Sequence, residues 1–180
     1  MADFASARKP AREAGERGEA AQSADLPGKI SPITRELSAY IATALARPLP
    51  GEVAERAKCH LLDTLAAMVS GSRLLPGRRA IAYVRSQGGR RQATVVGSRM
   101  VTTAVNAALA NGMSAHADET DDSHAGGRFH PGSAIVPAAL ATAELKDRDG
   151  ASLLGALALG HDIGTRFVMA LGLGEAYARP

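Results

Sequence analysis

Residues 50–71 read PGEVAERAKCHLLDTLAAMVSG, and their pattern is that of a long α-helix. After the Pro-Gly-Glu start, apolar residues recur every three or four positions, which is the repeat of one helix face. This first stripe consists of Val53, Ala57, Leu61, Leu65 and Met68, and a second apolar set consists of Leu62, Ala66 and Val69. Gly71 follows as a C-terminal stop signal. Two apolar faces predict that this helix lies in the centre of the protein.

Further helical patterns extend on both sides of this stretch. Ser31 and Pro32 form a typical N-cap and first helical residue, and Asp149 is a good N-cap for the last helix. Pro137 must lie in a first turn or at a kink. Only residues 93–97, ATVVG, have the pattern of a strand. The predicted helices cover residues 32–47, 50–71, 78–87, 102–116, 133–146 and 151–171. The fold class is therefore all-α, a bundle-like domain with at most one short β segment.

The composition supports this class and excludes several functions. Apolar residues make up 46% of the chain but aromatic residues only 3%, so the core must be built from small aliphatic side chains that allow helices to pack closely. The net charge of +3 comes from dispersed Lys and Arg without an aromatic platform, which argues against nucleic acid and suits an anionic metabolite. The single cysteine, Cys59, excludes an internal disulfide framework, and its apolar surroundings predict a buried thiol. No apolar run is long enough to span a bilayer and no signal-peptide core is visible, so we expect a cytoplasmic protein.

The chain divides into two parts of unequal character. Residues 1–30 mix both charges without apolar periodicity, which predicts a disordered N-terminal extension. Residues 31–180 contain no linker or repeat and are expected to form one helical unit. A long apolar helix ends close to the last residue, so we expect this unit to be an incomplete part of a longer domain.

Chemistry-bearing residues are concentrated in residues 111–132, NGMSAHADETDDSHAGGRFHPG. The residues Val105, Leu109, Gly112, His116 and Glu119 are spaced by four, three, four and three, so they are predicted to share one helix face. That face is apolar at first and ends in two ionisable groups, whose burial has a free-energy cost unless they are paired or used. The Gly126-Gly127 pair would let the loop fold back, so that His130 approaches Glu119 and Ser123. His130 also precedes a predicted helix start, where a substrate carboxylate could bind.

Several of these residues have simpler interpretations. Asp118 is expected to be a cap or a solvated loop charge, and Asp121 and Asp122 could organise the loop by accepting backbone N–H bonds. His124 is expected to be exposed, and His116 is equally compatible with a core histidine. A metal site is a further alternative. His116 and Glu119 resemble half of a bundle-type carboxylate site, and His116, His124 and His130 could bind zinc, although their spacing matches no standard zinc pattern.

Separate motifs, in order, give the chain a resemblance to a known family. They are residues 61–66 (LLDTLA), 93–97 (ATVVG), 108–112 (ALANG), the block from Ala115-His116 to His130-Pro131, 136–138 (VPA) and 160–166 (GHDIGTR). With these motifs, residues 33–171 resemble the MmgE/PrpD family, which includes 2-methylcitrate dehydratase, cis-aconitate decarboxylase and related lyases and epimerases.

The resemblance implies a lyase site on this chain for a small di- or tricarboxylic acid. The family's acidic, hydroxyl and histidine site residues fall on Glu119, Ser123 and His130, and the two preceding the hydroxyl are Asp121 and Asp122. By this resemblance His130 handles the proton or the leaving hydroxyl, Glu119 fixes and charges that histidine, and Ser123 orients a substrate carboxylate. We add Asp121, Asp122, His116 and Arg128 as expected substrate-binding residues. The chain departs from many relatives, which have Asp at position 119 and Thr at position 123, and its loop to His130 is one residue longer than in the decarboxylase.

The same resemblance implies the wider context. Family members continue into a mixed α/β lid domain that supplies further cationic residues, work without metal, organic cofactor or iron–sulfur cluster, and are usually homodimers. This chain is then expected to carry part of a site and to act as a homodimer or with a polypeptide that supplies the lid. Two alternatives remain open. Under the first alternative, the chain is a non-catalytic helical remnant that dimerises. Under the second, it is a small helical metal-binding module.

Overall fold

The computed structural model describes residues 30–172, and within them the chain folds as six helices with one minimal sheet. The elements are α1 (Pro32–Ala44), α2 (Gly51–Gly71), α3 (Leu75–Gln87), β1 (Ala93–Thr94), β2 (Val101–Thr102), α4 (Ala104–Ala115), α5 (Gly132–Leu145) and α6 (Gly150–Ala170). The predicted all-α class is confirmed. The predicted extension over residues 1–30 lies, except for Ile30, outside the described residues. None of the helices within residues 30–172 combines the length and the hydropathy that crossing a membrane would require.

Local side-chain chemistry sets several helix ends as predicted. The Ser31 side chain accepts the Thr34 N–H at the start of α1, and Asp149 accepts the Ser152 N–H at 2.8 Å at the start of α6. Helix α3 begins three residues earlier than predicted. Its N-cap is Leu74, whose side chain makes no capping bond, so the sequence carried no cap signal there.

The strand prediction was too long. Only Ala93 and Thr94 pair with β2, in antiparallel register opposite Thr102 and Val101. Beyond them, the buried side chain of Asn111 replaces a strand partner, because its Oδ1 accepts the Val96 N–H and its Nδ2 donates to the Thr94 carbonyl. An amide on α4 therefore completes the hydrogen bonding of this segment.

The core is made of small side chains, as the composition predicts. One cluster contains Ala80, Val84, Ala93, Val95, Ala107, Ala110 and Ala141, and the other contains Met68, Ala115, Val136 and Leu157. Helix α5 carries Pro137 at its sixth residue, beyond the first turn. Pro137 has no N–H to donate to the Ser133 carbonyl, and Gly112 of α4 lies against that oxygen: a Cβ at position 112 would be 3.0 Å from it.

Two predicted helix orientations are wrong. On α2 the second apolar set faces outward, with Leu62 71% exposed and Val69 45% exposed. On α4 the predicted inner face is the outer one, since Val105 is 79% exposed, and small residues of α4 face the core instead. Small residues let α4 approach α2, α3 and α5 closely, and this contact outweighs burial of the larger side chains on the opposite face. Cys59, predicted to be buried, is exposed.

Candidate active site

The loop between α4 and α5, residues 116–131, carries most of the ionisable groups predicted for the site. It starts where α4 ends at Ala115 and is anchored to α2 by Ser70 Oγ, which donates to Asp118 Oδ2 at 2.8 Å. Farther on, His124 and Phe129 form an antiparallel bridge, and His124 Nδ1 accepts the Gly127 N–H at 2.9 Å. This tight turn folds the chain back, as the glycine pair predicted.

Two successive aspartates in this loop each contact a pair of histidines. Asp121 Oδ1 lies 3.1 Å from His116 Nδ1 and 3.4 Å from His130 Nδ1, and the two imidazole rings are 4.9 Å apart. The Asp121 side chain is fully buried, whereas those of His116 and His130 are 48% and 32% exposed. The Asp121 cluster, defined as these three residues, therefore shields a carboxylate behind two imidazoles that reach solvent.

The second group, the Asp122 cluster, joins this loop to α2 and α6. Asp122 Oδ2 lies 3.0 Å from His60 Nδ1 and 3.2 Å from His161 Nε2, and the two rings are 4.8 Å apart. Asp122 Oδ1 accepts the Gly132 N–H at 2.7 Å. Only glycine fits at position 132, because a Cβ would lie 2.6 Å from Asp122 Oδ1. The predicted receptor for a substrate carboxylate, the first turn of α5, therefore already binds a carboxylate of the chain itself through Gly132.

Opposite influences act on the pKa values of this pair. Burial raises the pKa of Asp122, but the hydrogen bond with His161, the Gly132 N–H and the positive charge of the histidines together hold it below its usual value of 3.8. Burial lowers the pKa of His161, but its bonds with Asp122 and with the Leu157 carbonyl hold it above its usual value of 6.5. In the absence of metal the two groups thus favour the ionised pair.

A pH-dependent contribution to stability follows from these two shifts. The raised His161 pKa contributes stability that is present below pH 6.5 and is lost as the pH rises through the folded-state value. The lowered Asp122 pKa contributes stability that is present above pH 3.8 and is lost as the pH falls through its folded-state value. In EDTA, the loss of unfolding free energy caused by Asp122→Asn should be larger at about pH 5 than at about pH 9. Urea unfolding at both pH values checks this, and an equal loss at both would contradict it.

A cleft of about 290 Å³ opens beside the Asp122 cluster. Its lining residues come from the loop and from two helices: His60, Asp122, Ser123, His124, Pro131, His161, Asp162 and Thr165. The lining combines carboxylates, imidazoles and hydroxyls, which are groups able to bind a small polar molecule and to transfer protons.

Comparison with known proteins identifies the family of the chain. The model of the MmgE/PrpD N-terminal domain matches residues 35–178, which is most of the chain. The chain belongs to the MmgE/PrpD family. It is 28% identical over 141 residues to the cis-aconitate decarboxylase-like protein oryM of Aspergillus oryzae, a match covering 74% of this chain and 29% of that protein. It is 29% identical over 134 residues to the cis-aconitate decarboxylase of Aspergillus terreus, covering 74% of this chain and 27% of the relative. The chain thus spans less than a third of the length of these relatives.

The structure brings together some of the residues that the MmgE/PrpD resemblance singled out. His130 lies with His116 and Asp121, whereas Ser123 is exposed in the neighbouring cleft, beside the Asp122 cluster. The predicted helix face carrying Glu119 does not exist, since α4 ends at Ala115 and Glu119 has a left-handed backbone with φ of 55°. Within residues 30–172, no hydrogen bond or ion pair links Glu119 to another residue, and the carboxylate beside His130 is that of Asp121. Arg128 is exposed, also with positive φ.

The zinc group considered from sequence is only partly assembled. His116 and His130 do converge, on Asp121 rather than on His124. The His124 ring packs edge-on against Phe129 and its Nδ1 accepts the Gly127 N–H, so its role in this structure is to hold the turn.

Sequence reasoning missed two histidines of this MmgE/PrpD domain, His60 and His161. Both lie on helices distant in sequence from the loop, and both have ring nitrogens close to Asp122. A signal was present, because His60 is four residues before the buried Thr64, and His161 is four residues after the buried Leu157. Each histidine therefore lies on the inward face of its helix, where an ionisable group needs a partner.

Proposed function

We propose that this chain carries the proton-transfer half of a cofactor-independent lyase site for a small di- or tricarboxylic acid. The observation that carries the proposal is the Asp121 cluster, in which a fully buried carboxylate contacts the Nδ1 atoms of two partly exposed imidazoles. Membership in a family with decarboxylase relatives supports the same chemistry. Dehydration, decarboxylation and epimerisation all fit this class.

Within this proposal, His130 acts as the general acid or base. Its Nδ1 lies 3.4 Å from the Asp121 backbone carbonyl, which can only accept a hydrogen bond, and 3.4 Å from Asp121 Oδ1, an ion-pair contact. The Nδ1–H tautomer therefore leaves Nε2 as the atom available to take or return a proton at the substrate. Asp121 orients this ring and stabilises its protonated form, the part that the resemblance assigned to Glu119.

The proposed reaction needs positive charge around the substrate as well as a base. A carbon next to a carboxylate becomes carbanion-like when it loses a proton or carbon dioxide, and cationic or N–H donors must stabilise that charge. His116, beside His130, and the exposed Arg128 are the cationic candidates on this loop, and Ser123 would hold a carboxylate by hydrogen bonding. We propose that the remaining cationic residues come from a polypeptide that supplies a lid, or from a second copy of the chain in a homodimer. The proposed location of this assembly is the cytoplasm.

Binding of polycarboxylates to the chain itself tests the proposal. Histidine ring resonances are followed by NMR during titration with cis-aconitate or citrate, and with acetate as a control. We expect saturable shifts of the His116 and His130 signals with the tricarboxylates, within or near the ~1 μM–1 mM range typical of enzyme substrates, and none with acetate. If the folded chain shows no saturable shifts at ligand concentrations well above that range, the proposal is contradicted and the non-catalytic helical unit is favoured.

The role of Ser123 can be tested with a matched pair of variants. Ser123→Ala removes an exposed hydroxyl from the cleft, so the dissociation constant for cis-aconitate should rise by about 10- to 150-fold, the loss of one hydrogen bond to a charged group. Ser86→Ala removes a hydroxyl at the end of α3, where Ser86 Oγ donates to the Tyr83 carbonyl, and should leave the constant unchanged. Equal constants for both variants would remove Ser123 from the site.

A further inference from the structure

The contacts of His161 constrain which of its nitrogens carries a proton. Its Nδ1 lies 2.9 Å from the Leu157 carbonyl, which can only accept a hydrogen bond, so Nδ1 must be the protonated atom. In a neutral ring, Nε2 then bears a lone pair. That lone pair faces Asp122 Oδ2 at 3.2 Å, and an ionised carboxylate also only accepts. Two acceptors at this distance need a cation between them, either a proton or a metal ion.

The second imidazole of the Asp122 cluster favours a metal ion. His60 Nδ1 is 3.0 Å from the same oxygen, and the ligand atoms of His60, Asp122 and His161 all lie within 4.8 Å of one another. Without metal, a proton on His161 Nε2 bridges His161 and Asp122 alone, and a metal ion would have to displace it. One divalent ion would bind all three donors, and donors ~2.0–2.1 Å from a tetrahedral zinc lie about 3.3 Å apart. The two contacts to Asp122 Oδ2, 3.0 Å and 3.2 Å, are close to that spacing, and the third pair, His60 Nδ1 and His161 Nε2, lies within 4.8 Å.

The surroundings of two of the three donors, His161 and Asp122, match those of protein metal ligands. His161 donates its other N–H to a backbone carbonyl, and Asp122 accepts the Gly132 N–H with its other oxygen. Such outer contacts orient metal ligands and fix the histidine tautomer. His60 and His161 lie on two long helices, α2 and α6. The cleft lined by Ser123 and Thr165 would leave the fourth coordination position of a bound metal ion open. Three protein ligands with an open position are typical of reactive zinc sites.

The Asp121 cluster lacks this feature. His130 Nδ1 faces two oxygens that only accept, and His116 Nδ1 faces one of them, so both rings can be neutral Nδ1–H donors. No lone pair of these rings is forced against the carboxylate. Protons alone account for that cluster.

We propose that His60, Asp122 and His161 form a binding site for a divalent transition metal of the zinc class, with the fourth position open to the cleft. The metal proposal does not rest on the proposed lyase activity, since none of the evidence for it involves His130 or a bound substrate; the two share only the cleft that Ser123 lines. Its imidazole and carboxylate donors suit Zn²⁺, and Cu²⁺ and Ni²⁺ would also bind.

Zinc titration of the purified 180-residue chain tests the site. After removal of metal with EDTA and dialysis, Zn²⁺ is added at neutral pH in competition with a chromophoric chelator. We expect one equivalent to bind, the thermal unfolding temperature to rise, and the ring ¹⁵N resonances of His60 Nδ1 and His161 Nε2 to shift. Asp122→Asn and His161→Gln should weaken binding by more than about 100-fold, beyond the effect typical of losing an outer contact.

Control variants keep the test decisive. His60→Asn changes a side chain that is 42% exposed, so it is expected to fold even if Asp122→Asn does not, and it should also lose tight binding. His116→Gln removes a histidine of the other cluster, and Cys59→Ser removes the exposed thiol beside His60; both should bind zinc as the parent does. The proposal is overturned if the parent binds no zinc, if zinc leaves the His161 resonances unchanged, or if His116→Gln loses binding while His60→Asn retains it.

Discussion

Under the proposed lyase function, replacing His130 with alanine is expected to lower turnover by about two to four orders of magnitude, the range for loss of a general acid or base. This corresponds to about 3–5 kcal/mol of transition-state stabilisation. The His130 side chain is 32% exposed and rests on a fully buried carboxylate, so removing the ring takes away the proton-transfer group without opening the core. Turnover of cis-aconitate by the wild-type and variant chains, under conditions in which the wild type is active, measures the effect.

Two controls separate chemistry from folding in this experiment. The thermal unfolding curves of the wild-type and His130→Ala chains should be similar, because the imidazole is on the surface side of its cluster. Added imidazole should restore part of the lost turnover, since a free base can enter the space left by the ring. Wild-type turnover in His130→Ala would remove His130 from the mechanism, and loss of turnover together with loss of the folded state would leave Asp121 as the residue to vary next.

The second large effect is expected from Gly71→Ala. Gly71 is the last residue of α2, and a Cβ there would lie 1.9 Å from the Ser114 carbonyl oxygen and 2.9 Å from Ala117 Cβ. Because the clash is with backbone, the ends of α2 and α4 must separate. Overpacking of this kind costs about 1–3 kcal/mol of unfolding free energy. The unfolding temperature should fall by about 2–4 °C for each kcal/mol.

Gly150→Ala is the matched control for this change. Gly150 is the first residue of α6, and a Cβ there would meet no heavy atom within 4 Å. Alanine is the better helix former, so this variant should be as stable as the wild type or slightly more stable. If the two variants unfold at the same temperature, the close approach of α2 and α4 does not limit stability. Since the loop with both aspartates begins just after Ser114, Gly71→Ala should also weaken polycarboxylate binding.

The sequence predicts those features of this fold that depend on local chemistry. The N-caps Ser31 and Asp149 are short-range hydrogen bonds, and both helices begin where these residues predict. The start of α3 was missed because Leu74 caps nothing with its side chain. The outward face of α4 was misassigned because apolar periodicity does not distinguish a core of alanines from a surface of larger residues. Which face is buried depends on how closely the neighbouring helices approach.

The same distinction applies to the site. His116, Asp121 and His130 lie within one loop, and the sequence singled out all three as site residues, but it put Glu119 rather than Asp121 beside His130. His60 and His161 reach Asp122 from α2 and α6, and only the packing of those helices brings them there. Glu119 was assigned to a helix that ends before it. Nearby Asp118 instead accepts hydrogen bonds from Ser70 and Thr120, contacts that stabilise a loop in place of another helical turn.

Asp121 and Asp122 are consecutive, so their Cα atoms are about 3.8 Å apart and a single peptide plane connects their two clusters. A ligand that shifts the backbone at one aspartate would tilt this plane and move the other carboxylate relative to its own histidines. The shared peptide is therefore a physical route by which the two neighbouring sites could be coupled. Linkage between binding equilibria is reciprocal. If a metal ion on the Asp122 side changes the affinity for an acid on the Asp121 side by some factor, the acid must change the metal affinity by the same factor.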